Sequence, residues 1–140
     1  MNSKITPDHL GRGAIVYVRQ STMSQVVGNT ESQKRQYALV EQARAAGFVS
    51  VTVIDDDLGR SGSGLVERPG FQRLVAAVCA GSVGAVLCLE ASRLARNGRD
   101  WHHLVDLCAL AGTLVIDPDG VYDARLVNDR LLLGLKGTMW

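Results

Sequence analysis

The sequence predicts an α/β fold, a mostly parallel sheet of about four to five strands with helices on both faces. Two observations carry that expectation. Short apolar or alternating runs suited to strands recur at 14–19, 49–53, 84–89 and 113–116, and the stretches between them place apolar residues at helical spacing. A glycine stands where each predicted helix should stop, at Gly47, Gly81 and Gly112. Strands alternating with helices imply right-handed crossovers between parallel strands. No internal repeat and no low-complexity segment interrupts the pattern.

Taken in order, residues 1–13 are polar and are expected to form a flexible N-terminal arm. Ala14 to Arg19 is the first strand, and it delivers Arg19 and Ser21 to its carboxyl end on one face, because strand positions alternate. Residues 20–29 are polar and predict a loop. Thr30-Glu31-Ser32-Gln33 fits a capping box, so a helix is expected from about Glu31 to Ala46 with Tyr37, Val40 and Ala43 on one face. Val49, Val51 and Val53 alternate with Ser50 and Thr52 in a second strand that runs into Asp55-Asp56-Asp57.

The segment Asp57 to Gly64 is the most glycine-rich in the chain. Pro69 suits the first turn of a helix that buries Phe71, Leu74, Val75 and Val78, with Arg68 just before it. Gly84 to Leu89 is almost wholly apolar, as a central parallel strand buried on both faces should be. Glu90 to Asn97 follows, with Arg93 and Arg96 three apart and so on one face of a helical turn. A helix from about Asp100 to Ala111 is expected to bury Leu104, Leu107, Cys108 and Ala111. Thr113 to Ile116 is the fourth strand, and Asp117-Pro118-Asp119-Gly120 is turn chemistry. Asp123 to Trp140 is expected to be a short helix followed by the first turns of another, with Leu131, Leu132, Leu133 and Leu135 in need of a partner.

Composition limits what the chain does without naming it. At 140 residues with 46% hydrophobic content, one globular domain is expected and a second large one does not fit. The net charge of +1 gives no bulk attraction for a polyanion, so nucleic acid would have to be held by a local cluster. Of the 15 basic residues only Lys4, Lys34 and Lys136 are lysine. Arginine is favoured where a planar fork grips phosphate oxygens, and a GC-rich genome produces the same bias. Cys79, Cys88 and Cys108 are widely spaced in apolar runs, which suggests reduced, buried thiols in a cytoplasmic protein. The first residues have no apolar signal-peptide core, and 74–89 is too short and too broken by glycine to span a membrane.

Three separate strand ends carry the chemistry: Arg19 and Ser21, then Arg60 and Arg68, then Arg93 and Arg96. Guanidinium groups gathered around one hydroxyl suit phosphoryl transfer, because fixed donors stabilise the charge that spreads over the non-bridging oxygens. A serine hydroxyl also needs nearby cations or a base to become a nucleophile. Alternatives fit less well. Gly59 to Gly64 is neither a Walker loop nor a dinucleotide fingerprint, and no Gly-x-Ser-x-Gly elbow is present for a triad with His9, His102 or His103. His102 and His103 are adjacent, so they face different ways on a helix and suit packing or surface better than metal ligation. A receiver-type phosphoacceptor domain would place its acidic cluster after the first strand, whereas Asp55 to Asp57 follows the second.

The ordered set Tyr17-Val18-Arg19-Gln20-Ser21, Glu31-Ser32-Gln33, Asp57 to Gly62, Glu67-Arg68-Pro69-Gly70-Phe71 and Ser92-Arg93-Leu94-Ala95-Arg96-Asn97 resembles the catalytic domain of the serine recombinases, the resolvase/invertase family, and most closely its large members. The likeness runs from about Ala14 onward and implies a resolvase-like catalytic domain over 14–125. It also implies that Ser21 attacks a DNA phosphodiester to give a 5′-phosphoserine link and a free 3′ hydroxyl, with Arg19, Arg68, Arg93 and Arg96 gripping the scissile phosphate. Gln33 and Asp57 match positions that support the site, and Arg60 and Ser61 match DNA-contacting ones. Gln33 as a cap and Asp57 as a neutraliser of an arginine are structural alternatives. No metal and no other cofactor is implied; the implied partners are double-stranded DNA and further copies in a homodimer or tetramer, in a mobile-element setting.

Two departures qualify the resemblance. Ser92 stands where smaller relatives carry an aspartate. The family continues through a long helix into a DNA-binding region, so 126–140 is expected to be the start of a truncated helical segment and this chain to be inactive or impaired alone. The competing expectation, from a different class, is a non-catalytic module that associates with full-length recombinases through its exposed leucines.

Overall fold

The computed structural model describes residues 4–17, 30–54, 69–88 and 98–136. Its elements in order are α1 (Pro7–Arg12), β1 (Ala14–Tyr17), α2 (Thr30–Ala46), β2 (Val51–Ile54), α3 (Pro69–Cys79), β3 (Ala85–Leu87), α4 (Gly98–Ala111), β4 (Leu114–Asp117), β5 (Gly120–Asp123) and α5 (Val127–Lys136). The strands form one sheet in the order β2-β1-β3-β4-β5. β1 pairs parallel with both β2 and β3, and β3 pairs parallel with β4. Among the described strands only β5 is antiparallel, against β4. The fold class is the one expected.

Alternation along the strands divides the core in two. Ala14 and Val16 of β1 pack with Leu39, Ala43 and Phe48 from α2 and its end, together with Ala85, Leu87, Leu114 and Ile116. Ile15 and Tyr17 face the other way, onto Leu74 and Val78 of α3 and onto Trp101, Leu104 and Cys108 of α4. Every residue of β1, β3 and β4 is buried, the pattern of strands covered on both faces. Burial holds the Cys108 thiol almost wholly protonated, with a pKa pushed up to about 12.

Three expectations are corrected. Residues 7–12 are a helix and not part of a loose arm, because Thr6 and His9 close a capping box around its first turn and Pro7 suits its start. The turn expected at 117–120 is present but leads into a strand, and the described part of 123–140 holds one helix where a short helix and the start of another were expected. Asp117 Oδ1 accepts from the backbone N–H of Asp119 and of Gly120, which turns the chain through Pro118 and Asp119 into β5. Helix α5 then follows. Finally Cys79 is exposed at the end of α3, while Cys88 and Cys108 are buried as expected.

Candidate active site

In an open α/β sheet, ligands bind outside the carboxyl ends of the strands, at the point where the strand order reverses. Here the chain passes from β1 to β2 on one side and then returns to β3 on the other, so the reversal lies between β1 and β3. The register aligns Tyr17 with Ile54 and Val16 with Leu87, which brings the carboxyl ends of β1, β2 and β3 side by side. In sequence, β1 leads into Arg19 and Ser21, β2 into Asp57, Arg60 and Ser61, and β3 into Arg93 and Arg96. Three remote stretches of sequence therefore leave one edge of the sheet from neighbouring strands.

A ring contact brings the start of α3 to the same edge. Tyr17, the last residue of β1, meets Phe71 in the first turn of α3 edge-on, with ring centroids 6.4 Å apart and planes at 80°. Arg68 directly precedes α3 in sequence. The last strand residues beneath this edge, Tyr17, Ile54 and Leu87, are all at least 98% buried, so the segments beyond them start from a fixed base.

Arg19, Ser21, Asp57, Arg60, Ser61, Arg68, Arg93 and Arg96 themselves lie outside the described residues. Gln33 has its backbone in the first turn of α2, and its side chain lies outside the described set as well. The two histidines dismissed as ligands, His102 and His103, are exposed on α4 beside the buried Trp101. Among the described residues there is no group of three acidic, histidine or cysteine side chains that could hold a metal ion. A crevice lined by Arg12, Ser50, Thr52, Arg73 and Ser82 lies at the amino ends of β1 and β2, the edge opposite the site.

One charged cluster at the carboxyl edge escaped the sequence reading. Asp117 ends β4, next to β3, and its buried carboxylate takes an ion pair from Lys136 at 3.1 Å. Lys136 also reaches Asp119 at 3.0 Å and lies 5.3 Å from the centre of the Tyr122 ring. Burial opposes the lysine charge, but the bonds to Asp119 and Asp117 outweigh it and raise its pKa. The only sequence signal was turn chemistry at Asp117, since its cation comes from 19 residues further on, at the end of α5.

The Resolvase N-terminal domain model matches residues 14–139. The chain belongs to the resolvase family. Its first ten described residues, 4–13, precede the matched region. Among known relatives of this resolvase-family chain, the Sinorhizobium fredii protein y4bA/y4pH is 58% identical over 138 residues. That match covers 97% of this chain and 20% of the relative, so the chain spans about a fifth of the relative's length. The N-terminal catalytic domain of TP901-1 integrase superposes with a TM-score of 0.65 at 27% identity, covering 90% of this chain and 92% of that one. A resolvase family site-specific recombinase from Streptococcus pneumoniae gives 0.65 at 25% identity, covering 89% and 83%. The resolvase-family fold is thus that of a serine recombinase catalytic domain.

Proposed function

We propose that this resolvase-family domain cleaves and rejoins double-stranded DNA through a 5′-phosphoserine intermediate, with Ser21 as nucleophile. The observation that supports it most is the strand order: in a chain of this family, the segments bearing Ser21 and the arginines leave from adjacent carboxyl ends at the topological switch point. The Ser21 Oγ–phosphorus bond would form as the phosphorus–O3′ bond breaks, and the serine proton would end on the departing 3′ hydroxyl. Attack by a 3′ hydroxyl from another duplex reverses the step, so the phosphodiester energy is kept and no nucleoside triphosphate is consumed. Arg19, Arg68, Arg93 and Arg96 would hold the non-bridging oxygens, worth about two to three orders of magnitude in rate for each donor in sites of this kind. Gln33 and Asp57 would support the arrangement, and Arg60 and Ser61 would contact DNA. Assembly of two or four copies on DNA in the cytoplasm completes the proposal.

The test is a suicide DNA duplex, nicked so that cleavage releases a short strand and cannot reverse. The protein should become covalently attached to the 5′-phosphate end made by the break, and Ser21→Ala should lose the adduct. An adduct formed equally well by Ser21→Ala overturns the assignment.

The second reading, a non-catalytic module that binds longer members of the family, is favoured by the exposed Leu126, Val127, Leu131, Leu132 and Leu135 around α5. Stable association with a longer resolvase-family chain, without any covalent DNA adduct, would select it.

A further inference from the structure

We propose that residues 4–12 act as a strap that holds α5 against the sheet, latched by the neutral imidazole of His9. The strap crosses the amino edge of the sheet, opposite the candidate active site, and has a separate grip on each element it meets. Val49 N–H, just before β2, donates to Leu10 O at 3.0 Å. The Arg12 guanidinium donates to Val83 O, Ala111 O and Gly112 O at 2.6–3.1 Å, joining the end of α4 to the approach to β3. Lys4 reaches α5: its ammonium pairs with Asp129 at 2.9 Å and donates to Val121 O at 3.0 Å. Asp129 is buried, and its other carboxylate contact is the backbone N–H of Asp123 at 2.9 Å.

α5 needs such a grip because its own burial is small. Of its apolar side chains only Leu133 is fully buried, while Val127, Leu131, Leu132 and Leu135 remain exposed. Its other attachments are polar: Trp101 Nε1–H donates to Leu133 O at 2.7 Å, Arg130 pairs with Asp106, and Lys136 with Asp117 and Asp119. A helix held largely by ion pairs at its margins can be released without dismantling the two cores.

His9 is 2% exposed, and its ring is the closing part of the strap. Its Nδ1 accepts from Thr6 N–H at 3.0 Å and faces Thr6 Oγ1 at 2.9 Å, while Thr6 Oγ1 accepts from His9 N–H at 3.4 Å. An Nδ1 that accepts carries no proton, so the proton of the neutral ring sits on Nε2, and the Gly112 backbone favours the protonated ring without outweighing burial. The charged groups facing the ring are Arg12 on the strap, paired with Asp8, and Arg125 with Asp123 at the end of β5. Burial first, and then the Arg12 charge, hold the His9 pKa below its ordinary 6.5. The stability that neutral His9 contributes is present above that value and is lost as pH falls through the folded pKa, when a proton on Nδ1 would confront Thr6 N–H.

Trp101 reports directly on α5, so the test needs neither DNA nor catalysis, and its failure is distinct from failure of the recombinase reading. In Trp140→Phe protein, Trp101 is the only tryptophan. Its emission and the hydrogen exchange of 127–136, corrected for intrinsic rate, are followed from about pH 8 to about pH 5. The expected result is release of α5 below about pH 6.5 while β1 and β3 stay protected. His9→Gln keeps a side chain able to close the capping box and should abolish the acid response. Lys4→Met should raise exchange in 127–136 roughly fivefold above about pH 7, where the strap is closed, and Lys4→Arg should restore it. The proposal is overturned if α5 is indifferent to Lys4→Met, if exchange in β1 and β3 rises equally, or if the acid response is absent or persists in His9→Gln.

Discussion

At Gly84 the backbone of His9 comes down on the start of β3: a Cβ placed there would lie 1.9 Å from His9 O. The fit is between two backbones, so no side chain can yield, and Gly84→Ala has to push α1 away. A loss of about 1–3 kcal/mol is expected by urea denaturation, as for other overpacked sites. Asp123 gives a pH signature of its own. Its carboxylate takes both Nε and Nη2 of Arg125 and the Arg125 backbone N–H at 3.0–3.1 Å, and these bonds, led by the side-chain one, outweigh burial and hold it below its ordinary 3.8. A depressed carboxyl contributes stability above its unfolded pKa and loses it as pH falls through the folded one. Denaturation midpoints measured across a pH series should therefore drop below about pH 4, and less steeply for Asp123→Asn than for the parent chain.

Helix α5 and strand β5 show what local pattern does and does not reveal. Gly120-Val121-Tyr122-Asp123 is too short to show an alternation, and the turn before it is made by one side chain, Asp117, bonding back to two N–H groups. The leucines of α5 were legible as apolar, yet which one would be buried was not, because Leu133 joins a core built by residues of other elements, Trp101 among them. His9 and Lys4 were hidden for the same reason: the first looks like a stray polar residue, and the second finds its partner 125 residues away. Lys136 is the last such tie, and Lys136→Met leaves the 2%-exposed Asp117 carboxylate without its cation. Two backbone N–H bonds remain to Asp117, so the expected cost is about 1–2 kcal/mol, below that of stranding a fully buried charge. Thermal unfolding of Lys136→Met beside Lys136→Arg checks it, with the arginine variant close to the parent.

For the molecule as a whole, the sheet was readable because β1, β3 and β4 are nearly pure apolar runs and their helices carry clear stops at glycine. The order β2-β1-β3-β4-β5 is a long-range property that no window of sequence contains, and it sets side by side the strand ends that precede the three arginine-bearing stretches in sequence. The candidate site residues were read from motif order and lie outside the described residues, and Tyr17, Ile54 and Leu87 are the buried strand ends that precede their segments in sequence. The assignment of Ser21 is tested most directly by isolating the protein–DNA adduct from a suicide duplex, digesting it with protease and nuclease, and locating the residual nucleotide by mass spectrometry. A 5′-linked nucleotide phosphate on Ser21, with a free 3′ hydroxyl on the released strand, is the expected result. Attachment at any other residue, or a 3′ linkage, would contradict it.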